Sequence, residues 1–581
     1  MVKDQKSIRF SATDWTVWGM FTEPGAGGNR TDPGPVVMTG ADRGTDGERS
    51  RAAIFFAWAM SAPGRRRGRP LWMLPVATMV VIGIFLTGAC RHSRVEPHRA
   101  SIIILISIDT LRADRLGGYG NPLGLTPNLD AFAREAVVFS RSCSQSGSTL
   151  PSHASLFTSQ YPADLGVVES AGDLVLPESV PTLMETLRHA GYYVASFNGG
   201  GYVSGGYGFD RGVDLLEENL CFAESIPRVI EVLESRHAGS ESSNGYSETG
   251  LFVFLHSYDV HTPYLKTFPF SDLYQASDYK RRLWREVALI RERLGGRRLS
   301  FDDLRKLPTD KQAALMLFWL LDTDGFLNLI DRREATLMFG FFRKVLRGRW
   351  REMIEFEEQR ATVEACYNGA VRQADSSLGL LFSAMKRTGA WDRSLIVICS
   401  DHGEEFMEHG ALLHPPLFFD TLMHTPLLVK PPLSASRTGI IDAQVGNIDL
   451  FPTICAFAGC RPFSPLQGRS LVEALYGHGF SNAVYLSEEV DMDNGQLNAT
   501  LLTNRFKIIQ YGSRTRVAYD RNEDPAEQLS DENGVSGMPD QTEFLTTRVT
   551  GYKNASDRPG RRRHAPDDEL RDRLQRLGYI N

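Results

Sequence analysis

The chain has 581 residues, 42% of them hydrophobic, 23% charged and 10% aromatic, which excludes a disordered chain, a collagen and a polytopic membrane protein. Lys+Arg 64 against Asp+Glu 70 gives a formal net charge of −6, so no nucleic-acid partner is expected, because a polyanion reader carries a basic excess. The cysteines, Cys 7 in all, form no CxxC pair and exclude a disulfide scaffold or a paired-cysteine zinc site.

Residues 1–59 are rich in Gly, Asp and Arg with little periodicity and read as a disordered extension or a mis-called start, with Met60 as the natural first residue. Residues 60–90 form a targeting segment. Arg65, Arg66, Arg67 and Arg69 precede the uncharged run 71–89 (LWMLPVATMVVIGIFLTGA), the order of an export signal. Thr87-Gly88-Ala89-Cys90 resembles a bacterial lipobox, with Cys90 as the lipidated residue. An uncleaved anchor is the competing reading, since about 19 apolar residues just span a bilayer. Either way the rest of the chain is exported and membrane-anchored, in the periplasm or at the cell surface, because the basic cluster stays inside.

Beyond a linker at 91–99, the apolar β-branched run 102–108 reads as a strand buried on both faces. Similar runs recur at 192–197, 251–255, 395–399 and 426–429, with helical patterns at 180–190 and 370–388 between them. This alternation predicts an α/β domain over 100–480, with a doubly wound, mostly parallel sheet. A charged stretch at about 268–360 reads as a helical insertion whose charged face is solvated, membrane or anionic substrate being the functional alternative. Short alternating runs within 481–530 predict a small antiparallel α+β subdomain. Residues 531–581 form a polar tail with one terminal helix.

Ligands in such folds bind beyond the carboxyl ends of the strands, where Asp109, then His256, Asp259 and His261, then Asp401 and His402 follow the apolar runs. In Thr149-Leu150-Pro151-Ser152-His153, a proline just inside a helix start puts the Thr149 hydroxyl at a positive helix N-terminus. That position favours an alkoxide and an incoming phosphate or sulfate; an ordinary helix cap is the competing reading. The turn at Gly403 in Ser400-Asp401-His402-Gly403-Glu404 aims a carboxylate and an imidazole at one point. With Asp109 and Thr149 they make an oxygen-rich set with one nitrogen, suited to Zn, Mn or Ca.

Ile104 to Asp114 (ILISIDTLRAD), Thr126-Pro127-Asn128-Leu129-Asp130, the Thr149 segment and Ser400 to Glu404 resemble, in order and spacing, the sulfatase N-terminal domain of the alkaline phosphatase superfamily. The resemblance runs from about Ile102 to Gln467 and weakly on to Asp524-Pro525-Ala526-Glu527. It implies an alkaline phosphatase-like fold and a metal-dependent hydrolase of sulfate or phosphate esters. It also implies that His261, before Pro263, and His414, where the family places a lysine, contact substrate or assist the leaving group. His153 stands where the family has arginine and is expected to bind substrate. Asp259 is expected to do the same, or to hold a second ion together with His261 and His414. His256 and His424 read equally as structural.

Two departures matter. Family members carry a Cys or Ser that is oxidised to formylglycine, whereas this chain has Thr149, which cannot form that aldehyde. Asp109-Thr110 and Asp401-His402 replace a paired Asp and an Asp-Asn. Both exchanges resemble the phosphoester branch, so a phosphomonoester or phosphodiester cleaved through a covalent Thr149 ester is expected. The substrate would be a small molecule, a glycan or a lipid headgroup. The alternatives are an envelope phosphoethanolamine- or glycerophosphate-type transferase on the same fold and a membrane-tethered binding protein without catalysis.

Overall fold

A computed structural model describes residues 97–168, 174–238, 250–264, 270, 278–348, 356–432, 437–491, 495–513, 515–529 and 539–552. The segment read as an export signal, Cys90 and the chain beyond 552 lie outside the described residues. Among the described residues no helix is long and apolar enough to cross a membrane.

Among the described residues ten strands precede residue 450: β1 (Ile102–Ile108), β2 (Val137–Cys143), β3 (Tyr192–Phe197), β4 (Leu215–Glu217), β5 (Gly250–Ser257), β6 (Ser394–Cys399), the short pair β7 (Glu405–Phe406) and β8 (Leu412–Leu413), β9 (Leu427–Lys430) and β10 (Gly439–Gly446). Eight of them form one sheet in the order β10-β2-β9-β6-β1-β5-β3-β4. β9 runs antiparallel to β2 and β6, while the other neighbours pair in parallel. The mostly parallel, doubly wound sheet expected from the apolar runs is therefore present. β1 is central because it is apolar on both faces. Its even positions, Ile104, Ile106 and Ile108, join one core with Val253, Leu255, Ile396 and Ile398. Its odd positions, Ile103 and Leu105, join the other with Phe252, Phe254 and Val397.

The charged stretch is helical, as expected, but it is not an appendage. Helices Asp278–Arg293, Thr309–Leu321 and Ala335–Gly348 bury Leu283, Leu315, Trp319 and Phe339 in the same core as the even face of β1. Among its described residues, charged side chains such as Arg281, Arg285, Arg291 and Arg298 are exposed over that apolar interior, which averaged composition conceals. The predicted helix at 180–190 begins at Leu183, because Thr182 caps it and Glu185 returns the bond to the Thr182 N–H at 2.8 Å. The Thr126 to Asp130 motif is a brace. Asp130 Oδ1 accepts the Thr126 hydroxyl at 2.9 Å and the Gly118 N–H at 3.0 Å, and a Cβ on Gly117 would come 2.3 Å from Asp130 Oδ2.

The antiparallel subdomain follows as β11 (Tyr485–Val490), β12 (Leu497–Leu502), β13 (Phe506–Tyr511) and β14 (Thr515–Asp520), a meander in sequence order. Helix Pro539–Thr550, which the sequence reading placed in the tail, packs Leu545 and Val549 on this sheet against Leu501 and Ile508. Buried charges tie the meander to the main sheet. Lys507 Nζ pairs with Asp420 and Glu527 and donates to Phe418 O at 2.9 Å, and Arg521 grips Asp420 Oδ2 at 3.1 Å.

Breaking a buried pair strands its partner. Lys507→Met is expected to cost about 3–5 kcal/mol in urea denaturation. Arg505→Met, at the exposed pair with Asp520, is expected to cost less than about 1 kcal/mol.

Candidate active site

Asp109 follows the last residue of β1 and Asp401 comes two residues after β6, the neighbouring parallel strand. Both carboxylates are fully buried. The chain turns sharply after each. Thr110 takes a left-handed backbone with φ 56, strained for a β-branched residue, and so points its N–H at Asp401 Oδ1, 3.2 Å away. Its hydroxyl donates back to Asp109 O at 2.8 Å, so this side chain is bound to the main chain. Gly403 is required because a Cβ there would sit 2.0 Å from Thr421 O.

Thr149 is the first residue of helix Thr149–Thr158, whose ten residues are all buried. Its hydroxyl donates to Asp109 Oδ2 at 3.2 Å and lies 3.3 Å from His402 Nε2. His402 Nδ1 is 2.9 Å from Gly403 O, an acceptor only, so the ring carries its proton on Nδ1 and turns the Nε2 lone pair to Thr149. The loop before Thr149 is held by β11. The Ser487 hydroxyl donates to Ser144 O, Glu488 N–H donates to Gln145 O at 2.8 Å, and the Ser148 hydroxyl donates to Glu489 Oε1.

Burial holds the Asp109 carboxyl well above the ordinary range, and Asp401 and Glu404 push it the same way. Burial also works on Asp401, yet His402, His153 and His256 hold it below the ordinary range. His402 and His153 are lowered by burial. Asp109 Oδ1 and Asp401 Oδ2 are buried with no hydrogen-bond partner among the described residues. Two facing carboxylates, each with an unpaired oxygen, fit a divalent cation. Among the described residues, Asp109, Asp401 and His402 are also the one set of three such side chains with donor atoms within 4.8 Å of one another.

The structure brings Asp109, Thr149, Asp401 and His402 together and sets His261 and His414 beside them. The His414 ring centroid is 4.8 Å from that of His402 and 5.1 Å from that of His261. His414 Nδ1 is 2.9 Å from Glu404 Oε1, and the Tyr264 hydroxyl donates to Glu404 Oε2 at 2.7 Å. His261 Nδ1 is 2.6 Å from Thr262 O.

Two expectations change. His153 points inward from one turn beyond Thr149. Its Nδ1 is 2.9 Å from Thr149 O and its Nε2 is 3.0 Å from Ser107 Oγ, so both ring nitrogens serve the protein. Asp259 turns its Oδ2 to the Phe222 N–H, 3.0 Å away, at the start of helix Phe222–Ala238, and among the described residues it is not in the set that Asp109 and Asp401 form with His402. His256, read as equally structural, has its Nε2 3.6 Å from Asp109 Oδ2. Its alternation with Phe252 and Phe254 on one face of β5 was the available signal. His424 is structural: its Nε2 is 2.8 Å from Ser140 O.

The chain matches the Sulfatase family over residues 101–226 and 242–460, and the N-sulphoglucosamine sulphohydrolase C-terminal family over 408–547. It is 24% identical over 469 residues to a choline-sulfatase of Rhizobium meliloti (strain 1021), covering 77% of this chain and 85% of that protein. It is 21% identical over 442 residues to an N-acetylglucosamine-6-O-sulfatase of Bacteroides thetaiotaomicron, covering 70% of this chain and 76% of that protein. The fold superposes on the phosphonate monoester hydrolase of Agrobacterium radiobacter with a TM-score of 0.55 at 18% identity, covering 81% of this chain and 100% of that one.

Asp109→Asn removes one of the two facing charges. By calorimetry in EDTA the variant is expected to unfold at a higher temperature than the parent. Mn²⁺ or Zn²⁺ at about a hundred times its Kd is expected to stabilise the parent by about 2.7 kcal/mol and to leave the variant unmoved.

Proposed function

The chain belongs to the sulfatase family, and on that premise we propose that it cleaves sulfate or phosphate esters through a covalent ester on Thr149. It is a sulfuric or phosphoric ester hydrolase of the alkaline phosphatase superfamily. The observation that carries the nucleophile is the Thr149 hydroxyl, set between Asp109 Oδ2 at 3.2 Å and His402 Nε2 at 3.3 Å on the first turn of a buried helix.

A divalent ion held by Asp109, Asp401 and His402 would lower the hydroxyl pKa and neutralise charge on the ester oxygens. The Thr149 proton leaves towards Asp109 Oδ2, the oxygen to which it already donates. Thr149 Oγ1 then bonds to the sulfur or phosphorus as the bond to the leaving oxygen breaks in line. His414 and His261, clustered beside His402, protonate that leaving oxygen. Glu404, bridged by Tyr264, fixes the His414 ring. Water then attacks the sulfur or phosphorus as its bond to Thr149 Oγ1 breaks; the imidazole that gave up its proton takes one from this water, Asp109 returns its proton to Thr149 Oγ1, and the inorganic anion leaves.

Phosphate is favoured over sulfate because threonine cannot become the aldehyde through which the family eliminates sulfate. Two relatives named for choline and N-acetylglucosamine sulfates support a small alcohol or sugar as the leaving group. A lipid headgroup is the third candidate, on the reading of 60–90 as a lipidated export signal or single anchor, which puts the enzyme at an outer membrane face.

Turnover of an aryl phosphate, an aryl phosphodiester and an aryl sulfate tests this reading. Thr149→Ala is expected to lose at least about a thousandfold in kcat on the preferred ester, within the range seen when nucleophiles are removed. Thr149→Ser, which keeps the hydroxyl, is expected to retain most of it. Full activity of the alanine variant on all three esters defeats the proposal.

A further inference from the structure

His256 closes the row Phe252, Phe254, His256 on the face of β5 that packs towards helix Thr149–Thr158. Parallel pairing sets it beside Ser107 of β1, and the Asp109 N–H continues that ladder to Ser257 O at 3.1 Å. The imidazole and the Asp109 carboxylate therefore leave the carboxyl ends of two neighbouring strands. His256 Nε2 lies 3.6 Å from Asp109 Oδ2, the same oxygen that accepts the Thr149 hydroxyl at 3.2 Å. The Gly199 N–H donates to His256 Nδ1 at 3.3 Å, which places the proton of the neutral ring on Nε2. The ring is held edge-on to His153 and Tyr258, with centroids 5.0 Å and 4.7 Å away. A Cβ at position 199 would fall 2.5 Å from Tyr258 Cδ2, so glycine there lets the backbone N–H reach the ring.

We infer that the His256 Nε2–H donates to a nonbridging oxygen of the sulfuryl or phosphoryl group while Thr149 attacks, an inference that rests on the Thr149 reading. His153 cannot take this part, since Ser107 and Thr149 O engage both its nitrogens. His261 and His414 cluster with His402 instead. A donor held at one oxygen's remove from the nucleophile acts on the charge that builds during attack, and it needs no reorganisation then.

The test uses the full chain as purified with its metal, two substrates (an aryl phosphate and an aryl sulfate) and orthovanadate as the probe of the transition-state shape. His256→Met removes the donor at similar length and His256→Gln returns an N–H; His256→Leu replaces the methionine variant if that one does not fold. The methionine variant is expected to lose about 10²–10³ in kcat on the better ester, the range for one such donor. KM, metal content and unfolding temperature are expected to stay near parental values, and orthovanadate inhibition to weaken at least about tenfold, the size of one modest hydrogen bond. The glutamine variant is expected to regain most of the orthovanadate affinity. Parental kcat in the methionine variant overturns the inference, as does activity lost in proportion to metal, which would make His256 a positioning residue for Asp109. Full activity of Thr149→Ala fails the underlying reading by itself, whatever the His256 variants do.

Discussion

Two carboxylates meet where adjacent parallel strands end, fully buried, and each keeps one oxygen without a hydrogen bond among the described residues. Charge of one sign in so low a dielectric is costly unless a cation or a proton answers it. Around this conflict the local structure is arranged. Thr110 accepts a left-handed backbone to aim its N–H at Asp401, and Gly403 has no side chain because Thr421 O occupies that space. The Ser152 hydroxyl donates to Asp401 O at 2.7 Å, and His402 stands beside the Thr149 hydroxyl, which itself donates to Asp109. Such a carboxylate pair is costly to bury, and its donor atoms fit a divalent ion beside the Thr149 hydroxyl.

The surrounding layers hold that arrangement rigid from both sides. The helical insertion fills the core beneath the even face of β1 and reaches the histidine loop, where the Thr262 hydroxyl donates to Leu320 O at 2.8 Å. The C-terminal meander lends β11 to the loop that precedes Thr149, and the Lys507 and Arg521 ion pairs fasten it to the segment after β8. Among the described residues neither part supplies a donor to the Asp109, Asp401 and His402 set, yet the meander positions Thr149 and the insertion positions the His261 loop. A substitution at either brace therefore acts on the chemistry through geometry.

Much of this was legible in the sequence because burial on both faces leaves an unmistakable signature. The runs ending at Ile108 and Cys399 named the central strands, and polar residues directly after them named Asp109, Asp401 and His402. Side-chain direction was not legible. His153 reads as a substrate contact by its place in the motif, but four residues after Thr149 on a helix it turns its ring nitrogens to Thr149 O and Ser107 Oγ. Asp259 follows a strand as Asp109 does, yet a helix start within reach captures its carboxylate. His256 needed the period-two alternation of β5 taken one step, two residues, beyond Phe254. The partner of helix Pro539–Thr550 was hidden because Leu545 and Val549 are too sparse an apolar stripe to announce a sheet.

The central claim is that Thr149 carries the transferred group. Rapid acid quench during turnover of a slow ester, followed by mass spectrometry of the proteolysed chain, tests it most directly. The account predicts that the peptide containing Thr149 gains the mass of one phosphoryl or sulfuryl group and loses it as substrate is exhausted. Steady turnover with no adduct on that peptide, in a variant whose breakdown step has been slowed, would contradict it.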